Sequence, residues 1–216
     1  DEAHMLGLGR YLRLNGFKPG FELMIEHLNR ILQITSRLDL KPMIWSDMFF
    51  RLASQTDCYY DIQSVIPEDV VEKVPKEVQL VYWDYYHANE DFYEEWIRRH
   101  KRLGPNTIFA GGIWTWGSLA VSYGKTLVCT NAALNACKKE GITEVFATIW
   151  NDNGAESNYF MSLLGLQLFA EHGYAETLNM DKLRRRFQFC TGAKYEAFDD
   201  LKYINEIPGV AYEESL

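Results

Sequence analysis

Apolar residues along the chain fall into two alternating patterns. Short, nearly continuous apolar runs occupy Pro42-Met43-Ile44-Trp45-Ser46-Asp47, Val78-Gln79-Leu80-Val81-Tyr82-Trp83-Asp84, residues 107–116 and residues 144–152. Runs of this length suit strands covered on both faces, the setting of a parallel sheet. Between them, apolar positions recur at helical spacing. Phe21 to Arg37 places Leu28, Ile31 and Leu32 on one stripe beside Phe21, Met24 and Ile25. Phe92, Trp96 and Arg99 mark a second helix, closed by Gly104-Pro105. Asn131 to Glu140 reads as a third, stopped by Gly141, and Ser157 to His172 as a fourth, stopped by Gly173. The order is strand, helix, strand, helix.

Each run carries a tryptophan near its C-terminal end, at 45, 83, 114 and 150, spaced 31 to 38 residues apart. One βα unit of an eightfold barrel takes about 30 residues. A doubly wound sheet has similar spacing, but no Gly-rich phosphate turn follows any of these runs. Each run also loads its C-terminal end with aromatic and acidic residues, where a barrel keeps its active site. The expected fold is therefore α/β, a (β/α)8 TIM barrel. The chain is expected to supply the second half, from the end of strand 4 at Asp1-Glu2 through helix 8. Strands 1 to 4 are then expected from sequence preceding residue 1, because an open half barrel leaves unpaired edges. Residues 1–175 form the barrel part in this scheme. Residues 176–216, with charge-rich helical patterns at Asp181–Phe189 and Tyr195–Tyr203, form a helical extension.

Composition narrows the partners. The chain has 216 residues, 47% of them hydrophobic, enough for one sizeable core. A net charge of -8 repels phosphate backbones and anionic membrane surfaces, which argues against nucleic-acid and membrane partners. No apolar run is long enough to span a bilayer. Cys58, Cys129, Cys137 and Cys190 form no CxxC and no zinc spacing, so no metal is expected. Reduced thiols and a cytoplasmic location are the expectation.

The candidate chemistry lies at the strand ends. Trp45, Trp83, Trp114, Trp116 and Trp150 are five of the six tryptophans. Any one of them is explained by core packing. Five at one rim point to a pocket for the apolar faces of sugar rings. Asp84 and Asp152, one or two residues from a Trp, are placed to accept from sugar hydroxyls, with helix capping as the plain alternative. Asp47 reads as a loop cap. Asp1-Glu2 taken alone is an acidic terminus. Beside the Trp-bearing ends it becomes a candidate acid pair.

Over residues 1 to 172 these features resemble glycoside hydrolase family 20, the β-N-acetylhexosaminidases, in particular bacterial members of the streptococcal type. The matching strings are Asp1-Glu2, Ile44-Trp45-Ser46-Asp47 and Trp150-Asn151-Asp152. The resemblance implies an exo-acting hydrolase that removes terminal N-acetylglucosamine or N-acetylgalactosamine with retention. In that scheme Glu2 is the general acid. The substrate's own acetamido oxygen is the nucleophile, passing through an oxazolinium ion, and Asp1 orients the acetamido N–H. Proximity and charge stabilisation supply the rate. The family's acetamido-binding Tyr is matched by Tyr82 in Tyr82-Trp83-Asp84, with Tyr85 an equal candidate. Implied partners are a glycan ending in N-acetylhexosamine and the other half of the barrel, with a homodimer left open and no cofactor. Two other readings stand beside this one. They are a carbohydrate-binding barrel without catalysis, and a two-carboxylate retaining glycosidase using Asp84 or Asp152 as nucleophile.

Overall fold

The computed structural model describes residues 5–56, 58–117, 119–151 and 156–210. Strands form inside each of the four apolar runs: β1 (Met43–Trp45), β2 (Gln79–Trp83), β3 (Thr107–Gly112) and β4 (Val145–Thr148). Their order is β1-β2-β3-β4. β1 pairs with β2 in parallel, Ile44 opposite Leu80, and β3 pairs with β4 in parallel, Ala110 opposite Phe146. Helix lies in every connection, as parallel pairing requires.

The chain divides into two compact units. The first takes residues up to Trp83 together with Glu95–Ile108. It contains α1 (Gly9–Asn15), α2 (Gly20–Arg37), α3 (Asp47–Ala53) and α4 (Glu68–Lys73), with most of α5 (Glu90–Leu103). Its core is built from Leu28 of α2, Phe49 and Phe50 of α3, Val70 and Val71 of α4, and Trp96, Ile97 and Leu103 of α5. Leu80 and Tyr82 are fully buried. Leu80 lies against Gly104, where an added Cβ would be 3.2 Å away. Tyr82 stacks on His100 of α5 with ring centroids 4.5 Å apart. Alternation along β2 therefore turns its even-numbered side chains towards α5.

The second unit takes Asp84–Glu94 and residues from Phe109 onward. Here the β3 residues from Phe109 to Gly112 are all buried. The helices are α6 (Tyr123–Lys139), α7 (Leu163–Tyr174), α8 (Met180–Thr191) and α9 (Tyr195–Asp199). An added Cβ at Gly165 of α7 would meet Ile113 at 2.6 Å, so glycine lets this helix approach the exit of β3 closely. The expected helical extension packs on α7: Leu183 and Phe187 of α8 are fully buried, and Arg186 reaches the buried Glu171 at 3.0 Å.

Helix ends follow local chemistry. Asn89 accepts from Asp91 and Phe92 N–H at the start of α5, and Asn179 accepts from Lys182 N–H at the start of α8. Gly192 takes the left-handed conformation, φ 71°, at the end of α8. Three boundaries differ from the periodicity. α6 begins at Tyr123 rather than Asn131, because its first turns bury Thr126, Cys129 and Thr130 instead of a large apolar stripe. A short 3-10 turn, Tyr159–Ser162, precedes α7. Asp47 opens α3 rather than capping a loop.

Candidate functional site

Asp1, Glu2 and Asp152 lie outside the described residues, and the remaining predicted site residues lie within them. The indoles separate into two groups. Trp96, on α5, is fully buried, as a core-filling residue should be. Trp45, Trp83, Trp114, Trp116 and Trp150 are all half-buried. Trp45 and Trp83 end β1 and β2. Trp114 and Trp116 stand two and four residues past the end of β3, and Trp150 two past the end of β4.

In the first unit, Trp83 donates its indole N–H to Asp47 Oδ1 at 2.7 Å. Asp47 is buried in the first turn of α3, so the helix start fixes the carboxylate and the carboxylate fixes the indole. Tyr59 and Tyr60 meet the Trp83 ring edge-on at 5.3 and 5.6 Å, and the Arg51 guanidinium lies 4.5 Å from the centre of the Tyr59 ring. Tyr82 takes a different place from the one expected. It is wholly buried between His100 and Tyr60, on the α5 side of β2, because neighbouring residues on a strand point to opposite faces. A ligand hydrogen bond from Tyr82 would require opening this core. Tyr85, the other tyrosine proposed for an acetamido oxygen, is also buried, at 7% exposure.

In the second unit, Asp84 follows β2 directly and is fully buried. Its Oδ1 accepts from Tyr86 N–H at 2.9 Å, forming a tight turn, and its Oδ2 lies 2.8 Å from His87 Nδ1. An ionised carboxylate only accepts, which assigns the proton to Nδ1. The expectation that Asp84 meets sugar hydroxyls is thus replaced: both oxygens are engaged inside the turn. The His87 ring stacks on Phe92 at 3.8 Å, and Tyr93 donates to the His87 carbonyl at 2.8 Å. Burial, with the charge of Asp84 next in weight, pushes the Tyr93 phenol well above its ordinary range.

The segment after β3 builds an aromatic group. Trp114 and Trp116 stack at 4.4 Å, and Trp114 donates its indole N–H to the Tyr85 carbonyl at 2.7 Å. Tyr85 meets Trp116 edge-on at 5.0 Å. An added Cβ on Gly112 would lie 2.7 Å from Trp116 and 2.8 Å from Tyr85, so the glycine at the strand exit is what admits both rings. The Lys125 ammonium sits 3.8 Å from the centre of the Trp114 ring, and burial lowers its pKa. Much of the Trp114 π-surface is therefore used within the protein. Thr115 donates to the Trp150 carbonyl at 2.6 Å, tying together the segments that leave β3 and β4.

Sequence reasoning missed His87, Lys125 and the role of Asp47. The spacing Asp84-Tyr85-Tyr86-His87 carried a signal, since an Asp accepting from the residue two positions on brings the third within reach. Lys125 carried none, being one charge on a helix. Among the described residues, no group of three or more His, Cys, Asp and Glu converges to hold a metal. Among those residues, too, no helix is long and apolar enough to cross a membrane. Comparison with protein-family models and with curated proteins gives no match.

Proposed function

We propose that this chain carries the second half of the catalytic barrel of an exo-β-N-acetylhexosaminidase, a retaining, substrate-assisted glycoside hydrolase. The observation that carries the proposal is the contrast among the indoles. The one on a helix is core, whereas the five at or just past strand ends are half-buried. Two of these, Trp83 and Trp114, are oriented through their ring N–H. Held indoles with partial exposure suit walls for an apolar sugar face better than core filler.

In this reading β1 and β4 are interior strands of a closed barrel. The exposed Met43, Val145 and Phe146 are then surface that the remaining strands cover. Glu2 protonates the glycosidic oxygen and later activates water, the substrate's acetamido oxygen attacks C1, and Asp1 steadies the acetamido N–H. Tyr85 is the hydroxyl donor to the acetamido oxygen. The engaged carboxylate of Asp84 speaks against it as a covalent nucleophile, which weakens the two-carboxylate alternative.

The test is hydrolysis of a nitrophenyl N-acetylglucosaminide by the natural protein containing this chain. Glu2→Gln should lower turnover by about 10²- to 10⁴-fold, the usual weight of general acid–base catalysis. Cleavage of glucosides lacking the 2-acetamido group at the same rate would overturn the substrate-assisted mechanism. Binding of the sugar without any turnover would favour a carbohydrate-binding barrel instead.

A further inference from the structure

We infer that the cavity beside α5 and residues 64–66 is a binding site for a small organic carboxylate, an anion with an apolar body. The inference does not depend on the hydrolase reading. The cavity lies within the first unit and has a volume of about 280 Å³, close to the lower bound of about 300 Å³ for small-molecule pockets. Phe50, Ile66, Val71 and Leu103, all buried, give it an apolar lining. Arg98, Arg99 and Arg102 of α5 line it as well, against a single carboxylate, Glu95. Arg98 and Arg99 stand four and three residues before Arg102, so each shares a helix face with it. In a chain of net charge -8 this is a local excess of positive charge. Arg99 builds the wall. Its guanidinium donates to Glu95 at 2.8 Å and to the carbonyls of Ser64 at 3.0 Å and Ile62 at 2.8 Å, which ties that segment to the helix and presets the cavity. Arg102 pairs with Glu68, both exposed, and such a pair is worth little, so an entering anion can take the place of Glu68 at small cost. Ser64 supplies an independent observation. It is 6% exposed, and its Oγ is buried with no hydrogen-bond partner among the described residues. A buried hydroxyl left unpaired costs free energy. A carboxylate oxygen in the cavity would accept from it, while the planar guanidinium fork of Arg102 matches the carboxylate and neutralises its charge. The apolar lining then takes the body of the ligand and disfavours a wholly polar ion such as inorganic phosphate.

The test is calorimetric titration of the natural protein containing this chain with phenylacetate. Phenylacetamide controls for the charge and inorganic phosphate for the apolar body. Saturable binding of the carboxylate is expected, roughly tenfold or more tighter than either control, and weakening as salt is raised. Arg102→Gln, at an exposed position, should weaken it roughly tenfold, the size of one charge-assisted hydrogen bond. Ser64→Ala should weaken it about three- to tenfold, while the thermal midpoint of the free protein stays level or rises, because the change removes an unpaired buried hydroxyl. Absence of saturable phenylacetate binding overturns the inference. Equal binding of the amide or of phosphate overturns it as well, and so does phenylacetate affinity that is unchanged in both variants.

Discussion

His100 is an imidazole sealed in the first unit, and acid should destabilise the fold through it. The ring is fully buried, stacked on Tyr82 and tilted against Phe50 at 4.5 Å each. Nδ1 donates to the Trp96 carbonyl at 2.6 Å, and Nε2 is buried without a hydrogen-bond partner among the described residues. A proton on Nε2 would be an unsatisfied charge in an apolar core. Burial accordingly pushes the pKa down to about 3 from 6.5. With the folded pKa depressed, the unfolded chain takes up the proton first. Stability is full above pH 6.5 and is lost as pH falls from there towards 3. At pH 4.5 the unfolded imidazole is two pH units below its pKa, so the loss is roughly 2–3 kcal/mol. His172 shares the sign: burial, then the charge of Lys138, lowers it to about 4.

Urea unfolding followed by tryptophan fluorescence at pH 7.5 and 4.5 measures the effect, and His100→Phe isolates it. Phenylalanine keeps the stack on Tyr82 but cannot titrate. The Trp96 carbonyl keeps its helical partner, so losing the side-chain bond should cost little. The variant should lose about 2–3 kcal/mol less than the parent between the two pH values. Parallel losses in parent and variant would refute the argument, because they would mean that the buried imidazole admits a proton without penalty.

Two further outcomes are expected. Asp47→Ala removes the acceptor for the Trp83 indole, so the unfolding free energy should fall by about 1–2 kcal/mol, with a shift in tryptophan emission. Asp47→Asn, which keeps an accepting oxygen, should recover most of this in the same melts, and equal losses in the two variants would show that charge rather than the hydrogen bond holds the indole. Gly124 N–H donates to Glu206 at 2.8 Å, and an added Cβ at Gly124 would lie 2.0 Å from that carboxylate. Gly124→Ala and Glu206→Ala should therefore each detach the segment around residue 206 at about 1 kcal/mol, and the double variant should cost no more than either alone in a double-mutant cycle.

Four strands, their order along the chain and the longer helices α2, α5, α6 and α7 were legible from apolar periodicity. Burial on both faces leaves a continuous apolar run, and burial on one face leaves a helical stripe. The half-buried state of the strand-end indoles was legible for a related reason, since a tryptophan at the end of a covered run has one end in the core. Short helices such as α1 and α3 were not legible, being too brief to establish a period. The early start of α6 was hidden because Thr126, Cys129 and Thr130 do not read as a core stripe.

The roles of individual polar groups were decided by tertiary structure. Composition marks Asp84, Tyr82 and Tyr85 as equally suitable for a sugar. Strand alternation sends Tyr82 into the core against His100, and a turn closes Asp84 onto His87. Asp47 acquires its role by meeting an indole 36 residues away. One-dimensional pattern reports which side chains leave water, because that depends on local period. It does not report which donor meets which acceptor, because those pairs form between segments whose separation along the chain says nothing of their distance in space.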